Sequence, residues 1–131
     1  MKALLDTHAF LWWITDSALL PPHIRELIAD GDNVLLLSAA SCWEMAIKAR
    51  LGKLTLPAHP DVYLAEQISA NGIQSLPVLA SHALQVFHLP DHHRDPFDRM
   101  IIAQAQLENL PIITSDPLFS KYKVKTIWGK R

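Results

Sequence analysis

Short, unbroken runs of valine, isoleucine and leucine recur along this chain of 131 residues, separated by segments of helical character. Strands that are buried on both faces of a parallel sheet are apolar throughout, and each parallel pair needs a crossover connection. The pattern therefore predicts a single α/β domain over residues 1–131, a three-layer α/β/α sandwich with a mainly parallel sheet. The five predicted strands are residues 3–5, 34–37, 73–76, 111–114 and 124–128.

Prolines, glycines and apolar periodicity mark the helices between these strands. A helix is expected to begin near Thr7, and others are predicted over residues 24–29, 38–51, 61–70 and 79–87. The segment 96–108 is the most periodic, and Gln104 is among the residues predicted on its polar side. Its predicted apolar face consists of Met100, Ile101, Ala103, Ala105 and Leu107.

Composition narrows the class of protein. With 50% hydrophobic residues the chain can bury a core without disulfides, and its one cysteine, Cys42, favours a reducing compartment such as the cytoplasm. The formal net charge of -1 excludes a uniformly basic protein, although a local basic rim remains possible. Charged and polar residues such as Asp6 and Asp16 interrupt the apolar N-terminal stretch, so neither a membrane span nor a cleaved signal peptide is predicted.

Acidic residues fall where the predicted strands end. Asp6 follows the first strand, Asp116 follows the fourth, Asp98 opens the last long helix, and Glu44 lies in the helix after the second strand. Because the carboxyl ends of parallel strands share one edge of a sheet, these side chains are expected to converge. Clustered carboxylates repel one another unless a cation lies among them, and hard cations such as Mg²⁺ or Mn²⁺ take oxygen ligands. The sequence therefore predicts a metal site that can activate water for phosphodiester hydrolysis.

Each of these acids also has an alternative role at a helix terminus. Ser41 and Glu44 have the spacing of a capping box. Asp95, which precedes Pro96, is predicted to be a cap rather than a metal ligand. Capping alone does not explain why several acids project to the same edge of the sheet. The other acids with a possible capping or first-turn role are Asp6, Asp98 and Asp116.

Other chemistries find less support in the sequence. The chain has four glycines and lacks the glycine-rich loops that bind phosphates. The Asp6-Thr7-His8 segment lacks the second carboxylate of a haloacid-dehalogenase-type phosphatase. A zinc site is disfavoured because the candidate histidines lie on both sides of Pro90, without a thiolate and without the usual helical spacing. These histidines are His82, His88, His92 and His93.

Four segments resemble the successive motifs of PIN-domain proteins, specifically the VapC-type toxins of bacterial toxin–antitoxin pairs. They are LLDTHAFLWW, SAASCWEMAIKARLGKLTLP, LPDHHRDPFDRMIIAQA and IITSDPLF, and the similarity extends over residues 4–128. The resemblance implies an endoribonuclease that depends on Mg²⁺ or Mn²⁺. Asp98 is preferred to Asp95 as the third acid because it precedes the Ile-Ala-x-Ala helical segment of the family pattern. The resemblance maps the family's acidic set onto Asp6, Glu44, Asp98 and Asp116.

The resemblance also implies an RNA substrate, a VapB-like antitoxin and a homodimer. Two alternatives are an antitoxin-bound interaction module with weak activity and a structure-specific DNA nuclease, although 131 residues leave little space for additional DNA-gripping elements. The candidate RNA contacts are Lys48, Arg94, Arg99 and Ser115.

An antitoxin is expected to place an arginine or lysine among the acids, because a guanidinium pairs well with carboxylates. The aromatic residues near the acids would offer the apolar groove that an amphipathic helix fills. The predicted groove consists of Phe10, Leu11, Trp12, Trp13, Trp43 and Ile47.

Overall fold

The computed structural model describes residues 1–129 and contains a five-stranded sheet. Its strands are β1 (Lys2–Leu5), β2 (Val34–Ser38), β3 (Gln74–Leu76), β4 (Ile112–Ile113) and β5 (Thr126–Ile127). They are all parallel and lie in the order β3-β2-β1-β4-β5. The predicted strands are present, although the last two are shorter than the apolar runs that predicted them.

Within residues 1–129, six α-helices connect the strands: α1 (Thr7–Ile14), α2 (Pro22–Ala29), α3 (Ala39–Arg50), α4 (Pro60–Ala70), α5 (Ala80–Gln85) and α6 (Pro96–Glu108). Two 3₁₀ turns, Val86–His88 and Pro117–Lys121, complete the secondary structure. The predicted helix 79–87 is divided, because α5 ends at Gln85 and the chain tightens into the first 3₁₀ turn. No helix of the described residues is both long enough and apolar enough to cross a membrane.

Successive residues of the central strands point into two separate cores, as the pleat of a strand requires. Leu5 and Leu37 join a core with side chains of the helices α1 to α4, including Phe10. Leu4 and Leu36 join the opposite core with α6 and the turn near Phe119. The sheet is therefore covered on both faces, and the predicted three-layer α/β sandwich with a parallel sheet is confirmed.

The helix α6 departs from its predicted pattern at two positions. Gln104, predicted on the polar side, is fully buried, and Leu107, predicted on the apolar face, is 45% exposed. The Gln104 amide accepts a hydrogen bond from the Ser38 hydroxyl (2.6 Å) and donates one to the Pro77 carbonyl (3.1 Å). These hydrogen bonds satisfy the Gln104 amide, so its burial is tolerated. The apolar periodicity of one helix cannot reveal partners that come from other elements.

The sheet topology places a crevice at the carboxyl ends of β1 and β4. The connection from β1 leads through α1 and α2 to β2 on one side, whereas β4 is reached through α5 and α6 on the other side. Ligands in open α/β sheets bind at such points, where neighbouring strands are connected in opposite directions. The first residues after these strands, Asp6 and Thr114, therefore lie where a site is expected.

Candidate active site

Asp6 lies buried at the end of β1 and is 3% exposed. It occupies the N-cap position of α1, but its side chain makes no capping hydrogen bond. Its Oδ2 atom instead accepts a hydrogen bond of 2.8 Å from the hydroxyl of Thr114, just beyond β4. Burial raises the pKa of Asp6, the charge of Glu44 raises it further, and the Thr114 hydrogen bond partly offsets the rise. Asp6 therefore combines the N-cap position of α1 with a side-chain hydrogen bond to the residue after β4.

Glu44 projects from α3 and is 2% exposed. Its Oε1 atom accepts a hydrogen bond of 2.9 Å from the Thr7 hydroxyl at the start of α1. The cap of α3 is Ser38, whose hydroxyl accepts a hydrogen bond from the Ala40 amide (3.0 Å). The capping box that begins at Ser41 is therefore not formed, and the Glu44 carboxylate is directed to other side chains.

Lys48 supplies a positive charge at the edge of this acidic group. Its ammonium lies 2.6 Å from the Oε2 atom of Glu44, one helical turn earlier on α3. The hydrogen bond to Glu44 raises the pKa of Lys48, and the charges of Asp95 and Asp98 raise it further. Because Lys48 interacts with Glu44, Asp95 and Asp98, these three acids share one electrostatic environment.

The two acids at the start of α6 have different environments. Asp95 is the helix cap, since its Oδ1 atom accepts hydrogen bonds from the amides of Phe97 (2.9 Å) and Asp98 (3.0 Å). This part of the sequence analysis is confirmed. Burial raises the pKa of Asp98 to about 8, and the charges of Asp95, Asp6, Glu44 and Asp116 contribute to the rise. The Asp98 carboxyl therefore lies where several negative charges act together.

Asp116 contributes to this environment and also caps a turn. Its Oδ1 atom accepts a hydrogen bond of 2.9 Å from the Leu118 amide in the turn Pro117–Lys121. Its own amide donates to the Thr114 hydroxyl at 3.1 Å. Thr114 thus connects Asp116 to Asp6, a role that the sequence analysis missed. Its position at the end of a predicted strand, two residues before Asp116, was the available signal.

The donor set has the chemistry of a divalent cation site. It consists of carboxylate oxygens, two of which accept hydrogen bonds from the hydroxyls of Thr7 and Thr114. Burial raises the pKa of Asp98, and repulsion from the neighbouring acids raises it further. Across residues 1–129, no three His, Cys, Asp or Glu side chains are drawn together closely enough to enclose an ion. The acidic group is therefore open, and Mg²⁺ is an ion that retains several waters and needs few protein carboxylates.

The histidines do not assemble into a zinc site. His82 is buried between the Leu79 amide, which donates to its Nδ1 atom at 2.9 Å, and the Glu108 carboxylate at 3.3 Å. His93 contacts Tyr122 instead, with 2.7 Å between Nδ1 and the phenol oxygen. His82 and His93 therefore each have a protein partner within their own part of the fold.

The four candidate RNA contacts have different environments. Arg94 and Ser115 are exposed, and Lys48 is paired with Glu44 as described above. The Arg99 side chain is only 12% exposed. Its guanidinium donates to the carbonyls of Pro90 (2.8 Å), Leu89 (3.2 Å) and His93 (3.2 Å). Arg99 therefore holds the loop before α6, and we withdraw it from the RNA-contacting set.

The aromatic groove predicted for an antitoxin is only partly accessible. Phe10 is fully buried in the core, so its assignment to that groove is wrong. Trp12 is half-buried, with its ring 5.8 Å from that of Trp128. Trp43 is 63% exposed and lines an apolar cavity of about 510 Å³ between α3, α5 and α6.

Comparison with known proteins establishes the family. A model of the PIN domain matches residues 3–125, so this chain belongs to the PIN domain family. Over 58 residues it is 41% identical to the ribonuclease VapC16 of Mycobacterium tuberculosis, a match that spans 44% of this chain and 41% of that protein.

Solved structures with the same fold cover nearly the whole chain. One is VapBC2 from Rickettsia felis bound to a fragment of promoter DNA, with a TM-score of 0.73 and 16% identity over 97% of this chain and 98% of that chain. Another is DNA-bound VapBC from Salmonella typhimurium, with a TM-score of 0.72 and 18% identity over 97% of each chain. These similarities confirm the fold.

Proposed function

We propose that this protein is a metal-dependent endoribonuclease, a toxin of the VapC type, that hydrolyses RNA phosphodiester bonds. The observation that carries the proposal is the group of acids around Asp98, whose pKa is raised to about 8 by burial and by the charges of Asp95, Asp6, Glu44 and Asp116. Membership of the PIN domain family and the partial match to a protein named as a ribonuclease support the same chemistry.

Asp6, Glu44 and Asp98 would hold one or two Mg²⁺ or Mn²⁺ ions, with Asp116 acting directly or through water. When bound, such an ion supplies an activated water and stabilises negative charge on the scissile phosphate. The hydroxyls of Thr114 and Thr7 orient the carboxylates of Asp6 and Glu44 through their hydrogen bonds. Contacts to the RNA backbone are proposed for Lys48, Arg94 and Ser115.

Neutralising the proposed ligands tests this function. We expect Asp6→Asn, Glu44→Gln and Asp98→Asn each to lower RNA cleavage by more than about 100-fold while the fold is retained, because each removes an ion ligand. The matched control is Asp95→Asn, since asparagine also caps helices well and this variant should retain activity. Purified protein, free of antitoxin, would be assayed on tRNA, rRNA and mRNA with Mg²⁺, with Mn²⁺ and with EDTA.

Several results would contradict the proposal. An active Asp98→Asn variant beside an inactive Asp95→Asn variant would transfer the third ligand to Asp95. If RNA cleavage, once stopped by EDTA, were restored by Zn²⁺ and not by Mg²⁺ or Mn²⁺, the result would favour a metal site made of histidines. Cleavage of branched DNA substrates, run in parallel, without cleavage of RNA would make the protein a DNA nuclease.

We also propose a VapB-like antitoxin that places an arginine or lysine among the acids and lays an apolar helix beside them. The acidic crevice supports this, because a guanidinium can pair with two carboxylates at once. The proposed contact surface excludes buried Phe10. It consists of the partly exposed side chains of Leu11, Trp12, Trp13 and Ile47, together with exposed Trp43. A homodimer and a cytoplasmic location remain parts of the proposal.

A further inference from the structure

His93 presents a buried polar atom that the described residues leave without a hydrogen bond. Its side chain is 10% exposed, and its Nε2 atom has no hydrogen-bond partner. Burying such a group without a partner destabilises the folded protein, so its presence calls for an explanation. The nearest carboxylate is that of Asp98, whose Oδ2 atom lies 3.5 Å away. That distance is longer than a hydrogen bond of ordinary strength.

The hydrogen bonds of Tyr122 determine which nitrogen of His93 carries the proton. Tyr122 is 4% exposed, and its phenol oxygen accepts hydrogen bonds from the Arg99 guanidinium and from the His93 amide, both at 3.3 Å. A phenol has two acceptor sites and one hydrogen. Both donors are N–H groups that cannot accept, so they occupy the acceptor sites. The phenol hydrogen is therefore free to bond to the Nδ1 atom of His93, which lies 2.7 Å away.

This arrangement leaves the ring proton on Nε2. A neutral imidazole has one N–H group, and Nδ1 is the acceptor in the bond from Tyr122. The Nε2–H group is then a buried donor, and the carboxylate nearest to it is that of Asp98. The hydrogen bonds from Arg99 to Tyr122 and from Tyr122 to His93 thus connect the loop before α6 to one of the proposed metal ligands.

We propose that His93 is a positioning residue for Asp98, with its Nε2–H group donating to Oδ2 of that carboxylate. The inference rests on the proposed function, because it assigns a partner to a ligand of that site. Carboxylate ligands of metals are commonly held by such second partners, whose loss weakens metal affinity by about 10–100-fold.

The first measurement concerns Mn²⁺ affinity rather than activity. We expect His93→Leu, which removes the donor, to weaken Mn²⁺ binding about tenfold in isothermal titration calorimetry. His93→Gln retains an amide N–H donor near the position of Nε2 and should restore affinity to within about threefold of wild type. Equal losses in both variants would mean that the ring acts only by packing, and would overturn the inference.

Tyr122→Phe provides a second variant if His93→Leu does not fold. It keeps the ring and removes only the hydroxyl, so it frees His93 to place its proton on Nδ1. Nitrogen-15 NMR of the imidazole in the wild-type protein should show the proton on Nε2, and Tyr122→Phe should shift this balance and weaken Mn²⁺ binding. A wild-type proton on Nδ1 would overturn the inference.

Asp98→Asn separates this inference from the proposed function. If Asp98→Asn weakens Mn²⁺ binding strongly and His93→Leu leaves it unchanged, the role of His93 is wrong and the metal site stands. If Asp98→Asn also leaves binding unchanged, the metal site itself is wrong.

Discussion

Asp98 carries the largest electrostatic cost of the acidic crevice. Its pKa of about 8 in the folded protein lies well above the usual value for aspartate, near 3.9. Between these values the folded protein holds a proton that the unfolded chain has released. The stability that this proton contributes is therefore fully present below the pKa of Asp98 in the unfolded chain. It is lost as the pH rises through the pKa of Asp98 in the folded protein.

We predict that the metal-free protein loses about 3 kcal/mol of unfolding free energy between pH 5 and pH 8. Urea denaturation in EDTA at a series of pH values would measure this loss. In the Asp98→Asn variant, the unfolding free energy should depend distinctly less on pH, and the protein should be more stable than wild type at pH 8. The reason is that the carboxylate that resists ionisation is gone. Mg²⁺ or Mn²⁺ should restore wild-type stability at pH 8 through binding to the folded state. Parallel profiles for the two proteins would contradict the electrostatic account.

The helices α3 and α6, which carry Glu44 and Asp98, are joined through a buried polar network. The Ser38 hydroxyl caps α3 and also donates to Gln104 on α6 at 2.6 Å. Gln104 in turn donates to the Pro77 carbonyl, which follows β3, at 3.1 Å. One amide therefore links the start of α3, the helix α6 and the residue after β3.

We predict that Gln104→Leu destabilises the protein by about 2–3 kcal/mol, because it leaves the Pro77 carbonyl and the Ser38 hydroxyl without this partner. The matched control is Gln106→Leu on the same helix. Gln106 is only half-buried and accepts a hydrogen bond from Gln85 at 2.9 Å, so its replacement should cost about 1 kcal/mol or less. Chemical denaturation of both variants would measure the difference, and equal costs would argue against the network.

Four exposed apolar side chains belong to α5 and the residues that flank it. Val78, Leu79, Leu84 and Phe87, from α5 and its flanking residues, are 39%, 52%, 73% and 87% exposed. Groups of large exposed apolar residues commonly mark protein–protein interfaces. This surface is where we place the contact of the proposed homodimer.

We predict that Leu84→Asp or Phe87→Asp converts a dimer to a monomer, because either change places a charge in an apolar contact. Light scattering coupled to gel filtration would measure the mass. Leu19→Asp is the control, since Leu19 is 65% exposed between α1 and α2, away from α5, and its replacement should leave a dimer. A monomeric wild-type protein, or dimers of both test variants, would place the contact elsewhere or exclude it.

Local pattern was sufficient to predict the architecture and to propose which acids lie near one edge of the sheet. Unbroken apolar runs identify strands buried on both faces, and the shared edge of a parallel sheet follows from the alternation of strands and helices. The capping role of Asp95 was also readable, because the interactions of a cap are made with residues two and three positions later.

The tertiary structure alone decided which side chains those acids and their neighbours contact. The Thr114 hydroxyl reaches Asp6 across 108 positions of the chain, and Gln104 receives a hydrogen bond from Ser38 across 66 positions. It likewise buried Phe10 and directed Arg99 to the carbonyls of its own loop. Periodicity reports which face of an element is apolar, whereas the partner of a buried polar group depends on how distant elements pack.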